Sequence, residues 1–434
     1  MTRYILKGVY EEKSTPQTGS NIVNFKYQGA LNSALQDLSE LEVIPTELGI
    51  DTLLLAEMVY LADTSVNRKE VSEDGWTREL HLIIPVSDIS VWNKCTTIIK
   101  EMLDFLTGDI WTLEFKKRDW TPIKKPKGLF NSKYSGISLF SGGLDSLVGA
   151  LDHLESSIKQ KNLFVSFAGD GSISKKQGEL FDVVSKHYKN IDRLRFKSFQ
   201  YEKVLFSQMA GRENTTRGRS FLFIAIAVFA GSGLNRKIDI LIPENGIMSL
   251  NVPLNTIRIG ALSTRTTHPF YIRLWNKLLY NLGFDMILKN PYWDKTKGEM
   301  LKGCKDKTFL KSVLSVSSSC AHPAMARWTG KKECHCGYCI PCIIRRAAIY
   351  SAFTDDPTEY MYNQVSCIKT HKKLEQIQGM KYALYRLKNS PSLSNKLIHI
   401  AANLGHDTNE LTEYASLYKR GMKEITDFFT YWGV

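Results

Sequence analysis

Long apolar stretches are missing from this chain of 434 residues. The longest, Phe221 to Ala230, is about half of what a helix needs to cross a bilayer. Met1 to Tyr10 lacks the apolar core of a secretion signal. These absences set aside a membrane-spanning or exported protein and make a cytoplasmic location the expectation. No Gly-Lys-Ser/Thr follows the paired glycines at 142 and 143 at the distance of a Walker loop, which excludes that type of phosphate site. Acidic residues are outnumbered, 44 against 57 Lys and Arg, for a formal charge of +13. An anionic partner follows: nucleotide, nucleic acid or an acidic protein. The basic residues are spread along the whole chain, so a solvated basic surface is an equal reading. Cysteine is sparse except in one place. Eight occur, and five of them fall between Cys320 and Cys342, a clustering that favours metal over disulfides in a reducing compartment.

A hydrophobic share of 43% and a charged share of 23% are those of a soluble globular protein long enough for two or three domains. Residues 1–115 read as a small α+β unit, with a helix over 51–62, a strand over 79–86 and a helix over 90–106. The stretch 116–133 is basic, polar and proline-bearing, and reads as a linker. From 134 to 355, short apolar strands at 137–140, 163–167, 194–196 and 239–242 alternate with helical segments such as 177–187 and 221–230. That alternation predicts an α/β unit with a parallel sheet covered on both faces and ligands at the carboxyl ends of its strands. Residues 356–434 read as helical and lysine-rich, with a packing or partner-binding role.

The most informative segment is Ser141-Gly142-Gly143-Leu144-Asp145-Ser146. An apolar strand precedes it, and the Leu147, Leu151, Leu154 spacing of a helix follows. Strand, glycine loop and helix in this order aim backbone N–H groups at one point, where the helix N-terminus adds partial positive charge. Glycines allow positive φ and remove side chains that would block a phosphate. Ser141 and Ser146 can add hydroxyl donors, and Asp145 can cap the helix or hold Mg²⁺. The alternative is a plain βα turn that binds nothing.

Cys336, Cys339 and Cys342 follow one another at Cys-x₂-Cys spacing, with Gly337 easing the turn. A fourth thiolate from Cys320 closes a tetrahedral, structural Zn²⁺ site. Cys334 and His335 are alternatives for that fourth position. Arg217 and Arg219 stand just before the apolar run 221–230, where cations oppose the helix dipole unless an anion lies between them. Lys297 opens another helix-like segment, and Arg345 follows the cysteines by three residues. Singly, each reads as a surface charge; together with the loop they can neutralise the phosphates of ATP and a leaving pyrophosphate.

SGGLDS, TRGRSFLFIAIA, PENG, TKGEM, SVSSSC and CGYCIPCIIR occur in this order. The set resembles the 7-cyano-7-deazaguanine synthase (QueC-like) family of N-type, or PP-loop, ATP pyrophosphatases, over residues 134–350. The resemblance implies a Rossmann-like adenine nucleotide alpha-hydrolase sheet with a Cys₄ zinc site. By position it implies zinc ligands at Cys320, Cys336, Cys339 and Cys342. Catalytic positions are implied at Lys297, Arg219, Arg345 and Asp145, and an ATP loop at Ser141, Gly142, Gly143, Leu144, Asp145 and Ser146.

Two departures stand out. The family's aspartate-rich substrate stretch is replaced by Ser263-Thr264-Arg265-Thr266-Thr267-His268, which leaves Thr264, Arg265 and His268 as candidates for the substrate carboxylate or base, or as a polar surface loop. Residues 1–125 and the long tail are extra, a layout similar to QueC-like proteins of bacterial anti-phage systems of the Qat type. The resemblance implies adenylation of a 7-deazaguanine carboxylate by Mg·ATP and its transfer to an amine. The expected acceptor is the N-terminus of a companion protein; alternatives are ammonia, giving a free nitrile, and a non-enzymatic nucleotide sensor. Nucleic-acid modification is a further alternative that the positive charge permits.

Overall fold

The computed structural model describes residues 4–9, 22–118, 133–157, 159–168, 171–197, 213, 215, 217–252, 265–322, 325–326, 333–368, 371–390, 392–400 and 407–434. Thr264 and most of the expected linker, 119–132, lie outside them.

Two parallel sheets organise the chain. The first joins β1 (Tyr4–Val9), β2 (Ile22–Lys26), β3 (Glu79–Val86) and β4 (Ile110–Lys117) in the order β2-β1-β3-β4, every pair parallel. Its helices are α1 (Gln28–Glu40), α2 (Glu47–Ser65), the single turn α3 (Arg68–Val71) and α4 (Ile89–Thr107). The α+β character expected for residues 1–115 is therefore corrected. Parallel pairing needs crossovers, and α4 supplies one between β3 and β4.

The second sheet joins β5 (Tyr134–Leu139), β6 (Lys161–Ala168), β7 (Ile191–Lys197), β8 (Ile238–Leu241) and β9 (Met286–Lys289) in the order β7-β6-β5-β8-β9, again all parallel. The chain builds outward from β5 first to one side and then to the other. The point of reversal, between β5 and β8, leaves a crevice at the carboxyl ends of these two strands. Side chains alternate across the sheet. Ile137, Leu139, Leu163, Val165 and Phe167 enter one core, while Phe164 enters another with α5 (Leu144–Ser156) and α6 (Gly171–His187).

The first core ignores the expected boundary near residue 116. One apolar cluster runs from Leu6 through α2 and α7 (Arg217–Ser232) to Leu288. Fifteen of the nineteen residues of α2 are buried. Such a helix is apolar on nearly every side and must be enclosed. It lies against β3 on one side and α7 on the other. The two helices run antiparallel at close range: a Cβ on Gly49 would stand 2.1 Å from Ser232 Oγ. Thr46 N–H donates to Ser232 Oγ (3.0 Å), and Gly218 N–H donates to Asp63 Oδ2 (2.8 Å). Midway along α2, Glu57 is buried, and neither of its carboxylate oxygens has a hydrogen-bond partner among the described residues. Burial pushes its carboxyl up to about 8.

The remaining helices all follow β8 in the chain. They are α8 (Gly246–Leu250), α9 (Pro269–Asn281), α10 (Lys297–Gly303), α11 (Lys307–Val313), α12 (Ile340–Phe353), α13 (His371–Asn389), α14 (Leu393–Ile400) and α15 (Thr408–Trp432). The helical reading of the C-terminal region is matched by the last three. No helix among the described residues is long and apolar enough to cross a membrane.

Candidate functional site

The glycine loop leaves β5 and enters α5 at the crevice between β5 and β8. Gly142 has φ +81°, and a Cβ there would meet Gln177 Cα at 3.0 Å, so both backbone shape and space call for glycine. Gly143 is the N-cap of α5, which corrects the expectation that Asp145 caps it. Ser141 Oγ donates to Ser146 Oγ (3.1 Å) and accepts from Gly143 N–H (3.3 Å). Leu144 N–H donates to Ser319 Oγ at 3.3 Å, and Ser318 N–H donates to Gly142 O at 2.9 Å. A helix N-terminus with two adjacent hydroxyls makes this loop chemically suited to an oxyanion.

Asp145 lies in the first turn of α5, buried, and faces the end of β8. Its Oδ1 is 3.0 Å from Lys297 Nζ, and its Oδ2 accepts from Asn245 Nδ2 at 2.8 Å. The same Asn245 amide reaches Glu244 Oε1 at 3.3 Å, so two carboxyls share one donor. Burial alone raises the Asp145 carboxyl, but the Lys297 ammonium and the hydrogen bonds from Glu244 and Asn245 overcome it and hold Asp145 below its ordinary range. Burial, then the Asp145 charge, pushes Glu244 well above its own. The surroundings thus favour charge on Asp145 and disfavour it on Glu244. Both Asp145 oxygens have partners, and this set does not fit a Mg²⁺ site made of protein ligands alone.

Lys297 is placed by its helix. Thr296 caps α10 in a reciprocal box with Glu299. Glu424 of α15 accepts from Thr296 Oγ1 and from Gly298 N–H (3.2 Å), and a Cβ on Gly298 would strike its carboxylate at 2.4 Å. The C-terminal helix thus fixes the turn that carries the buried lysine.

Four sulfurs converge beside the same loop. The Sγ atoms of Cys320, Cys336, Cys339 and Cys342 all lie within 4.8 Å of one another, and Cys336 and Cys342 are 3.9 Å apart. Zn–S bonds of about 2.3 Å in a tetrahedron place sulfurs about 3.8 Å apart, so the cage fits zinc. Gly337 turns the chain at φ +86°, Cys339 is the N-cap of α12, and Cys342 lies in its first turn. Backbone N–H groups of His322 and Cys336 donate to Cys320 Sγ at 3.3 and 3.2 Å, and that of Cys339 donates to Cys336 Sγ at 3.3 Å. These donors favour thiolates. His335 is not the fourth ligand: its Nε2 accepts from Ser319 N–H at 3.2 Å. Burial, then the Arg345 charge, holds its imidazole down to about 3, hence neutral. Cys334 is buried but stands outside the group of four.

The expected cations divide. Lys297 reaches Asp145, as above. Arg345 is fully buried and donates to Ser317 Oγ (2.9 Å), Ser319 Oγ (3.5 Å), Leu314 O (2.7 Å) and Thr358 Oγ1 (3.0 Å). Its Nη groups brace the 314–319 segment, while its buried Nε has no hydrogen-bond partner among the described residues. Arg219 lies over the Phe167 ring at 5.3 Å, at the carboxyl end of β6. The anion expected between Arg217 and Arg219 is supplied by the protein. Asp63 receives the Gly218 N–H at the start of α7, inside a buried cluster where Arg78 meets Asp63 (2.7 Å) and Asp109 (2.6 Å). Arg217 donates to Thr107 O at 2.8 Å, with its guanidinium 4.8 Å from the Trp76 ring centre.

The expected substrate residues are not gathered at the loop. Arg265 donates to Phe105 O at 2.7 Å and lies 4.6 Å from the Phe105 ring centre. His268 is buried as the N-cap of α9, its Nδ1 accepting from Phe270 N–H at 3.3 Å. Both pack on the end of α4, which explains the residue types without a ligand. Glu244, Asn245, Ser318, Ser319 and Glu424 were absent from the expected site. The PENG and SVSSSC stretches carried a signal for the first four; nothing in the sequence pointed to Glu424.

No protein-family model matches the chain, and no curated protein sequence matches it.

Proposed function

We propose that this chain is an ATP-dependent ligase of the 7-cyano-7-deazaguanine synthase type, with a PP-loop nucleotide fold. In this reading it adenylates a 7-deazaguanine carboxylate and passes the acyl group to an amine, the N-terminus of a companion protein in anti-phage defence. The observation that carries the reading is the glycine loop. It sits at the reversal point of a parallel sheet, with Gly142 at positive φ and a buried Asp145–Lys297 pair beside it. The order of motifs along the chain supports the same family.

In the first step a carboxylate oxygen attacks the α-phosphorus of ATP and the bond to the β-phosphate bridging oxygen breaks. Acyl adenylate and pyrophosphate result. In the second step the amine nitrogen attacks the acyl carbon, AMP leaves, and the nitrogen loses a proton. Positioning and charge stabilisation do most of this work. The loop N–H groups, Ser141 and Ser146 hold the leaving pyrophosphate, and Lys297 keeps Asp145 ionised. Zinc in the Cys₄ cage is structural and takes no part in bond making. Residues 1–125 and 356–434 offer surface that ammonia as acceptor does not require, which favours a protein amine.

The test is exchange of labelled pyrophosphate into ATP, dependent on 7-carboxy-7-deazaguanine. Wild type is expected to catalyse it, and Ser141→Ala to slow it at least tenfold without lowering the melting temperature. Mass spectrometry with and without a candidate acceptor then separates conjugate from nitrile. ATP binding with no exchange in wild type rejects the ligase in favour of a sensor.

A further inference from the structure

A cavity of about 510 Å³ opens at the carboxyl ends of β8 and β9, between α9 and α15. Its size is that of a site for one small molecule. Trp293 and Tyr414 form an edge-to-face wall, ring centres 5.8 Å apart, and Pro269 and Pro291 add flat apolar surface. Trp293 remains 39% exposed, so part of its ring is open to a ligand. A flat ring system matches such walls better than a branched aliphatic group.

The polar groups narrow the class. Glu410 and Arg273 line the same cavity, and Arg273 Nη1 donates to Glu410 Oε1 at 3.1 Å. The Tyr414 hydroxyl donates to that same oxygen at 2.5 Å. Two donors on one oxygen hold the carboxylate in one orientation. A carboxylate accepts only, and a guanidinium donates only. An edge that offers neighbouring N–H donors beside a carbonyl oxygen satisfies both. A guanine-type edge has that order. An adenine edge sets a ring-nitrogen lone pair against the carboxylate.

The cavity also touches the phosphate-loop cluster. Asn290 lines it, and its amide clamps Glu244 at both backbone ends, accepting from Glu244 N–H (3.3 Å) and donating to Glu244 O (2.8 Å). Resting on the ligase reading above, we infer that this cavity receives the heteroaromatic ring of the acid, its face on Trp293 and its guanine-type edge on Glu410 and Arg273. The carboxyl on the five-membered ring stands on the adjoining edge, beside the ring carbonyl and away from Glu410, from where it reaches for the α-phosphate. The ring site is thus built partly from the C-terminal helix, and not from Arg265 and His268.

The test uses the full-length chain in acid-dependent pyrophosphate exchange. Glu410→Gln keeps the shape but removes the acceptor-only character. It is expected to raise KM for 7-carboxy-7-deazaguanine tenfold or more, in line with a lost hydrogen bond to a charged group, while KM for ATP stays within twofold. Trp293→Leu is expected to act in the same sense. Unchanged KM for the acid in both variants, with exchange intact, overturns the cavity assignment and leaves the ligase reading standing. A rise in KM for ATP instead assigns the cavity to adenine and also overturns it. Absence of acid-dependent exchange in wild type removes the ligase reading and this inference together.

Discussion

Replacing Glu57 by glutamine should flatten the dependence of stability on pH. Glu57 is buried midway along α2 without a hydrogen-bond partner among the described residues, and its carboxyl is raised from 4.5 to about 8. A group whose pKa is higher in the folded than in the unfolded state binds its proton more tightly in the fold. Its contribution is therefore fully present below pH 4.5 and is lost as pH rises through about 8. With 1.36 kcal/mol per unit, this one group costs the wild type about 3–4 kcal/mol between roughly pH 5 and roughly pH 8. At about 2.1 cal/mol/K per residue the chain unfolds with an entropy near 0.9 kcal/mol/K, so the loss corresponds to a fall of about 4 °C in melting temperature. Glutamine fills the same volume and does not titrate. Scanning calorimetry of both proteins at several pH values, plotted as their difference, cancels every other ionising group. The gap should open by about 4 °C in favour of the variant as pH rises across that window. Parallel curves would refute the reasoning and mean that Glu57 reaches water or a partner.

Gly142→Ala places a Cβ 3.0 Å from Gln177 Cα at φ +81° and should cost about 1–2 kcal/mol of stability together with most of the nucleotide affinity measured by calorimetric titration. Gly75→Ala is the control, because φ there is +68° with open space around it; it should carry the backbone cost and leave nucleotide binding unchanged. Cys320→Ser should abolish bound zinc by elemental analysis and lower the melting temperature, whereas His335→Ala should retain one zinc per chain. The reverse pattern would give the fourth coordination position to the histidine.

The strands and helices from 134 to 315 were legible because short apolar runs alternate with helical spacing, and observed bounds differ from those expected mostly by a few residues. The glycine loop and Cys-x₂-Cys steps were legible because their geometry is local. What the sequence hid was tertiary. β1 and β2 are short, and β1 pairs with β3 some seventy residues further on, so residues 1–115 passed for α+β. Arg345 and Arg217 are charged residues in plausible places, and only burial reveals that the first braces a loop and the second faces Trp76. His268 reads as a ligand until its ring is seen capping a helix. Glu424 holds the Lys297 turn from 127 positions away, a pairing no local pattern encodes.

Residues 318–320 link the cage to the loop. Ser318 and Ser319 tie down the glycine loop, and the very next residue, Cys320, belongs to the sulfur cage. A metal held by the cage would set the tautness of the glycine loop through one short tether. Loss of a metal from the cage would therefore loosen the glycine loop while leaving the main apolar core, which lies elsewhere, in place.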